Sequence, residues 1–442
     1  MSGQAGHIIR VRGGQVALRG DVRVPGDKSI SHRAIILGAL AEGASHVRGW
    51  LAAGDTLATL ASVRALGVEI TQHAEDALTV YGRGLGGLVA PSAPLYCANA
   101  GTAMRLLAGV LAGQPFHSTL DGSAQLRRRP MQRITEPLRA MGARVGDTAG
   151  HAPLHFAPAA LHGLRYDMPV ASAQVKSCLL LAGLYADAPV TVGEPAPARD
   201  HTERMLRAMG ADVRSEDGHV TLQPPAALRP LDLDVPADMS SAAFVLIAAL
   251  LAGAGRVCVR GVGVNPTRTG LVDILQQMGA RIALENPRES SGEPVADLCA
   301  ERATLRGAEI GGTLIVRAID EFPALMVAAT QAEGETWVRD AAELRVKETD
   351  RIAVMAAELR KLGARIEELP DGFRVVGPQR LRGADVDAHD DHRVGMALAL
   401  AGLVAEGETR VHGASAVRDS FPNFVEVLST LGAPIRWGAR DG

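Results

Sequence analysis

Six stretches of the chain are apolar on almost every side, and the same succession of patterns follows each one. They are SHRAIILGALAEG from Ser31, GTAMRLLAGVLAG from Gly101, SAQVKSCLLLAGLYA from Ser172, SAAFVLIAALLAG from Ser241, FPALMVAATQAEG from Phe322 and VGMALALAGLVAEG from Val394. Apolarity all round the helix predicts burial, and several stretches close on glycine, as helix ends favour. A short alternating run comes next, such as ETWVRD or ETRVHG, whose period of two and β-branched residues predict a strand. A polar loop, an amphipathic helix such as TERMLRAMG and one or two further strands complete the set. The amphipathic helices end on one phrase, Leu/Met-Gly-Ala/Val-x-Val/Ile, with its glycine at Gly67, Gly142, Gly210, Gly279, Gly363 and Gly432. Such a recurrence marks a repeat architecture of six units, helix–strand–helix–strand–strand in each.

The two halves also match. VPGDKSISHRA begins at Val24 and VPADMSSAAFV at Val235. This predicts two domains of three units each: residues 20–231, and a discontinuous domain of 1–19 plus 232–442. The segment HIIRVRGG near the start is expected to complete the discontinuous domain as a strand. Asn286–Arg302 is polar and unpatterned, and reads as an inserted surface loop. Gly82, Gly84 and Gly87 satisfy G-x-G-x-x-G, but Pro91 and Pro94 follow. Without a strand–turn–helix setting this is a turn, not a dinucleotide site.

At 442 residues the chain exceeds one ordinary core. Its net charge of −3 argues against a nucleic-acid-wrapping surface. The longest apolar run, Ala242–Ala254, falls short of the roughly 18 residues of a membrane span, and the opening residues lack an apolar leader. A soluble cytoplasmic protein is expected. Cys97, Cys178, Cys258 and Cys299 lie far apart without metal-ligand spacing and read as free thiols. Lysine occurs only at Lys28, Lys176, Lys347 and Lys361, among 46 basic residues. In so arginine-rich a chain, a retained lysine suggests a place that needs a compact, titratable ammonium.

Chemistry gathers ahead of the buried helices, in DKSISHR (27–33), NAGTAMR (99–105), ASAQVKS (171–177), IDEFP (319–323) and DDHR (390–393). A helix N-terminus presents free N–H groups and partial positive charge, a ready anion site. Taken singly, Ser29, Thr102 and Ser172 are explained as well by capping, and Asp320 and Glu321 by the helix dipole. Of Arg127, Arg128 and Arg129, one is expected to turn inward. Their joint occurrence at one repeated position points to a small ligand with several negative charges. LRVKETDR, from Leu344, opens an amphipathic helix. It sets Lys347 against Glu348, with Arg351 four residues on from the lysine, a pattern suited to proton transfer and carboxylate binding.

Together with RRRPM and SFPNF, these motifs resemble the 5-enolpyruvylshikimate-3-phosphate synthases, in order over nearly the whole chain. The Arg199-Asp200-His201 and Ile319-Asp320-Glu321 forms resemble that family's second sequence class. The resemblance implies an α/β fold of two domains, each of three βαβαββ units, with a cleft between the domains. It implies transfer of the enolpyruvyl group of phosphoenolpyruvate to the 5-hydroxyl of shikimate 3-phosphate, with release of phosphate and no metal or organic cofactor. The partners would be these two small molecules alone, with no nucleic acid and no membrane, and a monomer would suffice. By resemblance, Lys28, Ser29, Arg33, Ser172, Ala173, Gln174, Arg199, Asp320 and Lys347 hold shikimate 3-phosphate. Lys28, Gly101, Arg129, Gln174, Arg351 and Arg393 hold phosphoenolpyruvate. Asp320 is the candidate to take the 5-hydroxyl proton, Glu348 to protonate and later deprotonate the methylene, and Lys28 to share in proton transfer. The side-chain-free Gly101 implies sensitivity to glyphosate.

Two departures stand out. Ala173 stands where some members carry a second serine, and Asp419 stands where many carry a lysine. Two rivals are weighed. The sister enzyme that places enolpyruvyl on UDP-N-acetylglucosamine relies on a cysteine that the loop Gly122–Pro130 lacks. A ring-shaped DNA clamp of six units needs a basic inner surface that the net charge opposes.

Overall fold

The computed structural model describes residues 8–14 and 16–439. The opening residues, read above as lacking a leader, lie outside it as far as His7. The six apolar stretches form α1 (Lys28–Leu40), α2 (Gly101–Ala112), α3 (Ala173–Gly183), α4 (Met239–Ala252), α5 (Phe322–Gln331) and α6 (His392–Val404). Each is almost wholly buried, as apolarity on all sides requires. α1 starts three residues before Ser31, because Asp27 caps it by accepting from the Ile30 amide at 2.9 Å, so Lys28 and Ser29 sit on its first turn.

The chain divides into two units. The central unit is Gly26–Val235 with Glu289–Glu293; the terminal unit comprises the described residues through Pro25, Pro236–Arg288 and those from Pro294 onward. Each has its own hydrophobic core, built on α1 to α3 in the central unit and on α4 to α6 in the terminal one.

Three four-stranded sheets surround each core. In the central unit, one sheet runs Leu95–Tyr96, Ser118–Asp121, His151–Ala157, Arg144–Thr148. The first pair is parallel and the others antiparallel. A parallel pair needs a crossover connection, and α2 supplies it, giving one βαβαββ module. Every sheet repeats this parallel edge.

Two strands change places. Leu18–Val22 precedes α1, yet it pairs with Gly253–Gly263 in the terminal unit. Asp232–Asp234 precedes α4, yet it pairs with Glu42–Arg48 in the central unit. The ends of each unit are hydrogen-bonded into that same unit: Val235 N donates to Arg48 O, and Asp238 N to Pro25 O, each at 2.8 Å. Ile8–Arg12 fills the last sheet, between Glu408–His412 and Ile435–Gly438.

The six repeated glycines adopt one conformation, with φ between 86° at Gly67 and 100° at Gly432. This left-handed cap is cheap for glycine and costly for residues with a Cβ. Gly109 serves another purpose: a Cβ there would lie 2.1 Å from Cys178 O, so its absence lets α2 pack against α3.

Three expectations need correction. Asn286–Arg302 is not an irregular loop but most of a hairpin of Ile282–Ser290 and Glu293–Ala300. The first strand is largely exposed and polar, while the second is buried on nearly every residue, so neither alternates cleanly. Cys258 and Cys299 are not free thiols. They are opposed in the register of neighbouring strands and joined in a disulfide. LRVKETDR does not open the helix at Leu344: a short 3-10 turn, Ala342–Val346, comes first and the helix is Arg351–Lys361, capped by Asp350.

Candidate active site

In the central unit the expected residues fall into two linked groups. Lys28, on the first turn of α1, pairs with Asp55 Oδ2 at 2.9 Å. One turn on, the Arg33 guanidinium is buried, with one hydrogen bond from each of its three nitrogens. It donates to Thr202 Oγ1 at 2.7 Å, Ser177 Oγ at 2.8 Å and Ser29 O at 2.9 Å. Arg199 Nη1 reaches Ser29 Oγ at 3.3 Å. Burial draws Arg33 down to about 10, which leaves it charged at neutral pH.

The second group forms at the start of α2. Gly101 is tightly surrounded: a Cβ would lie 2.7 Å from Arg129 Nη1 and 2.9 Å from Arg105 Nη1. Of the three consecutive arginines, Arg127 and Arg128 are exposed and Arg129 is buried. Arg105 Nη1 donates to Gln174 Oε1 at 2.6 Å, and Gln174 Nε2 to Thr102 Oγ1 at 2.9 Å. Ser172 caps α3 through the Val175 amide, and Ala173 is that helix's first residue. α1, α3, α4 and α6 carry a side-chain cap at the N-terminus, whereas α2 and α5 carry none. The general expectation of anion-seeking helix starts therefore narrows, and in this unit α2 fits it best.

The terminal unit gathers its residues around Arg351, which is 2% exposed. Its Nε and Nη2 donate to Asp391 at 2.9 and 3.2 Å, a bidentate pair. Nη2 also meets Glu348 Oε2 at 2.6 Å, and Nη1 lies 3.5 Å from Asp320 Oδ1. Asp320 Oδ2 is 3.6 Å from Arg393 Nη2. Two carboxylates thus sit on different nitrogens of one guanidinium. Burial alone would lower the Arg351 pKa, but Asp391 and Glu348 outweigh it and raise it. Asp391 also caps α6 and accepts from Thr349 Oγ1 at 3.0 Å. Lys347 is only partly exposed and crowded by protein atoms. Desolvation pushes it down to about 8, against the pull of Asp320 and Glu343.

Sequence reasoning missed Asp55, Arg105 and Asp391 as site neighbours. Asp55 reads as an ordinary first-turn acid. Arg105 and Asp391 stood inside quoted motifs, with no pattern to separate them from capping and solvation. Among the described residues, no group of three or more His, Cys, Asp or Glu is arranged to hold a metal ion. No helix of the described residues is long and apolar enough to cross a membrane.

Two sets of βαβαββ modules, with guanidinium groups collected near helix starts, define an enolpyruvyl-transferase fold. The enolpyruvyl transferase NikO from Streptomyces tendae shares that fold, with a TM-score of 0.81 at 21% identity, over 99% of this chain and 100% of that one. A family model described as EPSP synthase (3-phosphoshikimate 1-carboxyvinyltransferase) matches residues 13–428. A 3-phosphoshikimate 1-carboxyvinyltransferase from Methylococcus capsulatus is 53% identical, over 95% of this chain and 96% of its own length. One from Geobacter sp. strain M21 is 51% identical, over 93% and 96%. The solved EPSP synthase of Acinetobacter baumannii matches with a TM-score of 0.86 and 44% identity, over 97% of this chain and 99% of that one. The chain belongs to the EPSP synthase family.

Proposed function

We propose that this chain transfers the enolpyruvyl group of phosphoenolpyruvate to the 5-hydroxyl of shikimate 3-phosphate and releases phosphate. Each substrate carries a phosphate and a carboxylate, which accounts for the density of cations. In this reading Lys28, Ser29, Arg33, Ser172, Ala173, Gln174 and Arg199 serve shikimate 3-phosphate, as do Asp320 and Lys347. Lys28, Gly101, Arg129, Gln174, Arg351 and Arg393 serve phosphoenolpyruvate. The fork of Arg351 is already engaged by Asp391, so its contribution to a substrate carboxylate comes through Nη1, while Arg393 offers the freer guanidinium face.

The observation that carries the mechanism is the placement of Asp320 and Glu348 on separate nitrogens of Arg351. Asp320 takes the proton of the 5-hydroxyl as its oxygen bonds to C2 of phosphoenolpyruvate. Glu348 protonates the methylene carbon, giving a tetrahedral ketal. Glu348 then recovers a proton from the new methyl group as the C–O bond to phosphate breaks, and the proton on Asp320 goes to the departing group. Fixed cations stabilise the charge that develops, and Lys28 shares in the proton traffic.

The UDP-N-acetylglucosamine reaction is opposed by the cysteines. Cys97 and Cys178 are buried with their thiols pushed up by desolvation, Cys97 to about 12, and the other two are bonded to each other. We place the enzyme in the cytoplasm as a monomer. The Cys258–Cys299 disulfide runs against that placement, because disulfides are rare in the cytosol. Thiol counting on protein taken directly from cells, with light scattering for mass, tests both points. The reaction itself is tested by phosphate release from shikimate 3-phosphate plus phosphoenolpyruvate, with UDP-N-acetylglucosamine as the parallel acceptor. Turnover with the sugar nucleotide alone would overturn the assignment.

A further inference from the structure

Lys176 is one of the four lysines, and neither substrate set includes it. Its side chain, 1% exposed, sits on α3 just beyond Ser172 and Gln174. The ammonium lies 2.8 Å from Glu194 Oε2 and 2.6 Å from Glu203 Oε1, and donates to Ala198 O at 3.2 Å. Glu194 Oε1 in turn accepts from Ala198 N at 3.1 Å. Both polar groups of Ala198 are therefore held by this one ion cluster. The next residue is Arg199, which reaches Ser29.

The other arm leads to Arg33. Glu203 follows Thr202, whose hydroxyl accepts from Arg33 Nε and lies 2.7 Å from Ser177 Oγ. Ser177 follows Lys176 and receives Arg33 Nη2. The Glu203 charge offsets part of what Arg33 loses by burial. Desolvation works against the Lys176 ammonium, but Glu203 and Glu194 outweigh it and keep it charged. With one cation serving two acids, the second acid ionises less readily, and burial pushes Glu194 up. An arginine fork could not take this place unchanged, because one point charge here meets three acceptors arranged around it.

We infer that Lys176 is a positioning residue. Through Ala198, Glu194 and Glu203 it fixes Arg199 and Arg33 in the arrangement that receives shikimate 3-phosphate. The inference rests on the reading that these two arginines serve that substrate.

The test is calorimetric binding of shikimate 3-phosphate to the full-length enzyme, beside steady-state kinetics. Lys176→Met is expected to raise the dissociation constant about tenfold, since small misplacements of binding groups carry large penalties. At saturating shikimate 3-phosphate, kcat and the KM for phosphoenolpyruvate should stay within about threefold of the parent. Removing the cation strands two buried acids, so stability will fall; Leu180→Ala, in the same helix and in the core, supplies a control of similar melting temperature. Glu194→Gln keeps size and serves where Lys176→Met does not fold, with an expected rise of about threefold. An unchanged dissociation constant in the folded variant, or an equal loss in Leu180→Ala, would overturn the inference. An unchanged Arg199→Ala would overturn the substrate reading and the inference with it, whereas a weakened Arg199→Ala beside an unaffected Lys176→Met would overturn the inference alone.

Discussion

Buried guanidinium groups are held differently in the two units: Arg33 in the central unit by neutral partners, although Lys176 nearby is held by two acids, and Arg351 and Arg393 in the terminal unit by acids. Arg33 is bound by two hydroxyls and a carbonyl. Arg351, by contrast, meets Asp391, Glu348 and Asp320, and Arg393 faces Asp320. A guanidinium held by neutral groups keeps its charge available to an anion. One held by carboxylates offers less net charge but orients groups that can accept and donate protons. In the proposed reading Arg33 serves binding alone, whereas the set around Arg351 combines binding with proton transfer through Asp320 and Glu348, and substitutions should separate the two roles.

The largest effect is expected at Glu348. Glu348→Gln should lower kcat by about 10²- to 10⁴-fold, the usual range for a lost general acid–base group. Shikimate 3-phosphate should still bind, as calorimetry would show; a variant that lost binding and kept turnover would break the division. Next comes Gly101→Ala in the central unit. Its methyl would displace the tips of Arg129 and Arg105, and through Arg105 disturb Gln174. We expect the KM for phosphoenolpyruvate to rise about tenfold with kcat much less changed, and inhibition by glyphosate to weaken in parallel, both read in initial-rate assays.

A smaller effect concerns Lys347, drawn down to about 8. The affinity for shikimate 3-phosphate should decline several-fold as the pH rises from 7 to 9, and Lys347→Met should flatten that slope. The sign for stability is opposite. Unfolding returns the lysine to its ordinary pKa of 10.5, so the folded state is penalised below about 8 and recovers as pH rises from there towards 10.5. The smallest effect belongs to the repeated cap. Ala in place of Gly142 or Gly363, at φ 94° and 91°, should cost each unit about 1 kcal/mol in denaturant titration.

The helices were legible because apolarity on every side leaves a segment few alternatives to burial, and the cap phrase because glycine alone takes its backbone angle without cost. The hairpin at Ile282–Ala300 was hidden because its polar strand lacks an apolar face and its buried strand lacks a polar one. The Cys258–Cys299 pair depends on strand register, which a separation of 41 residues does not reveal. Asp391 was quoted only as part of a motif; that it grips Arg351 from 40 positions along the chain is a property of the fold. Lys176 was the reverse case, since composition marked it before any contact was known.

The exchange of Leu18–Val22 for Asp232–Asp234 means that chain order and assembly order part company at two points. The stretch from Gly26 to Val235 leaves and returns with all three of its sheets complete, like a paragraph lifted whole into another text. Its removal, with Pro25 rejoined to Pro236, would open no sheet in the remainder. Two separately produced polypeptides, cut at those seams, should therefore each be able to fold, as circular dichroism and cooperative unfolding of each would show.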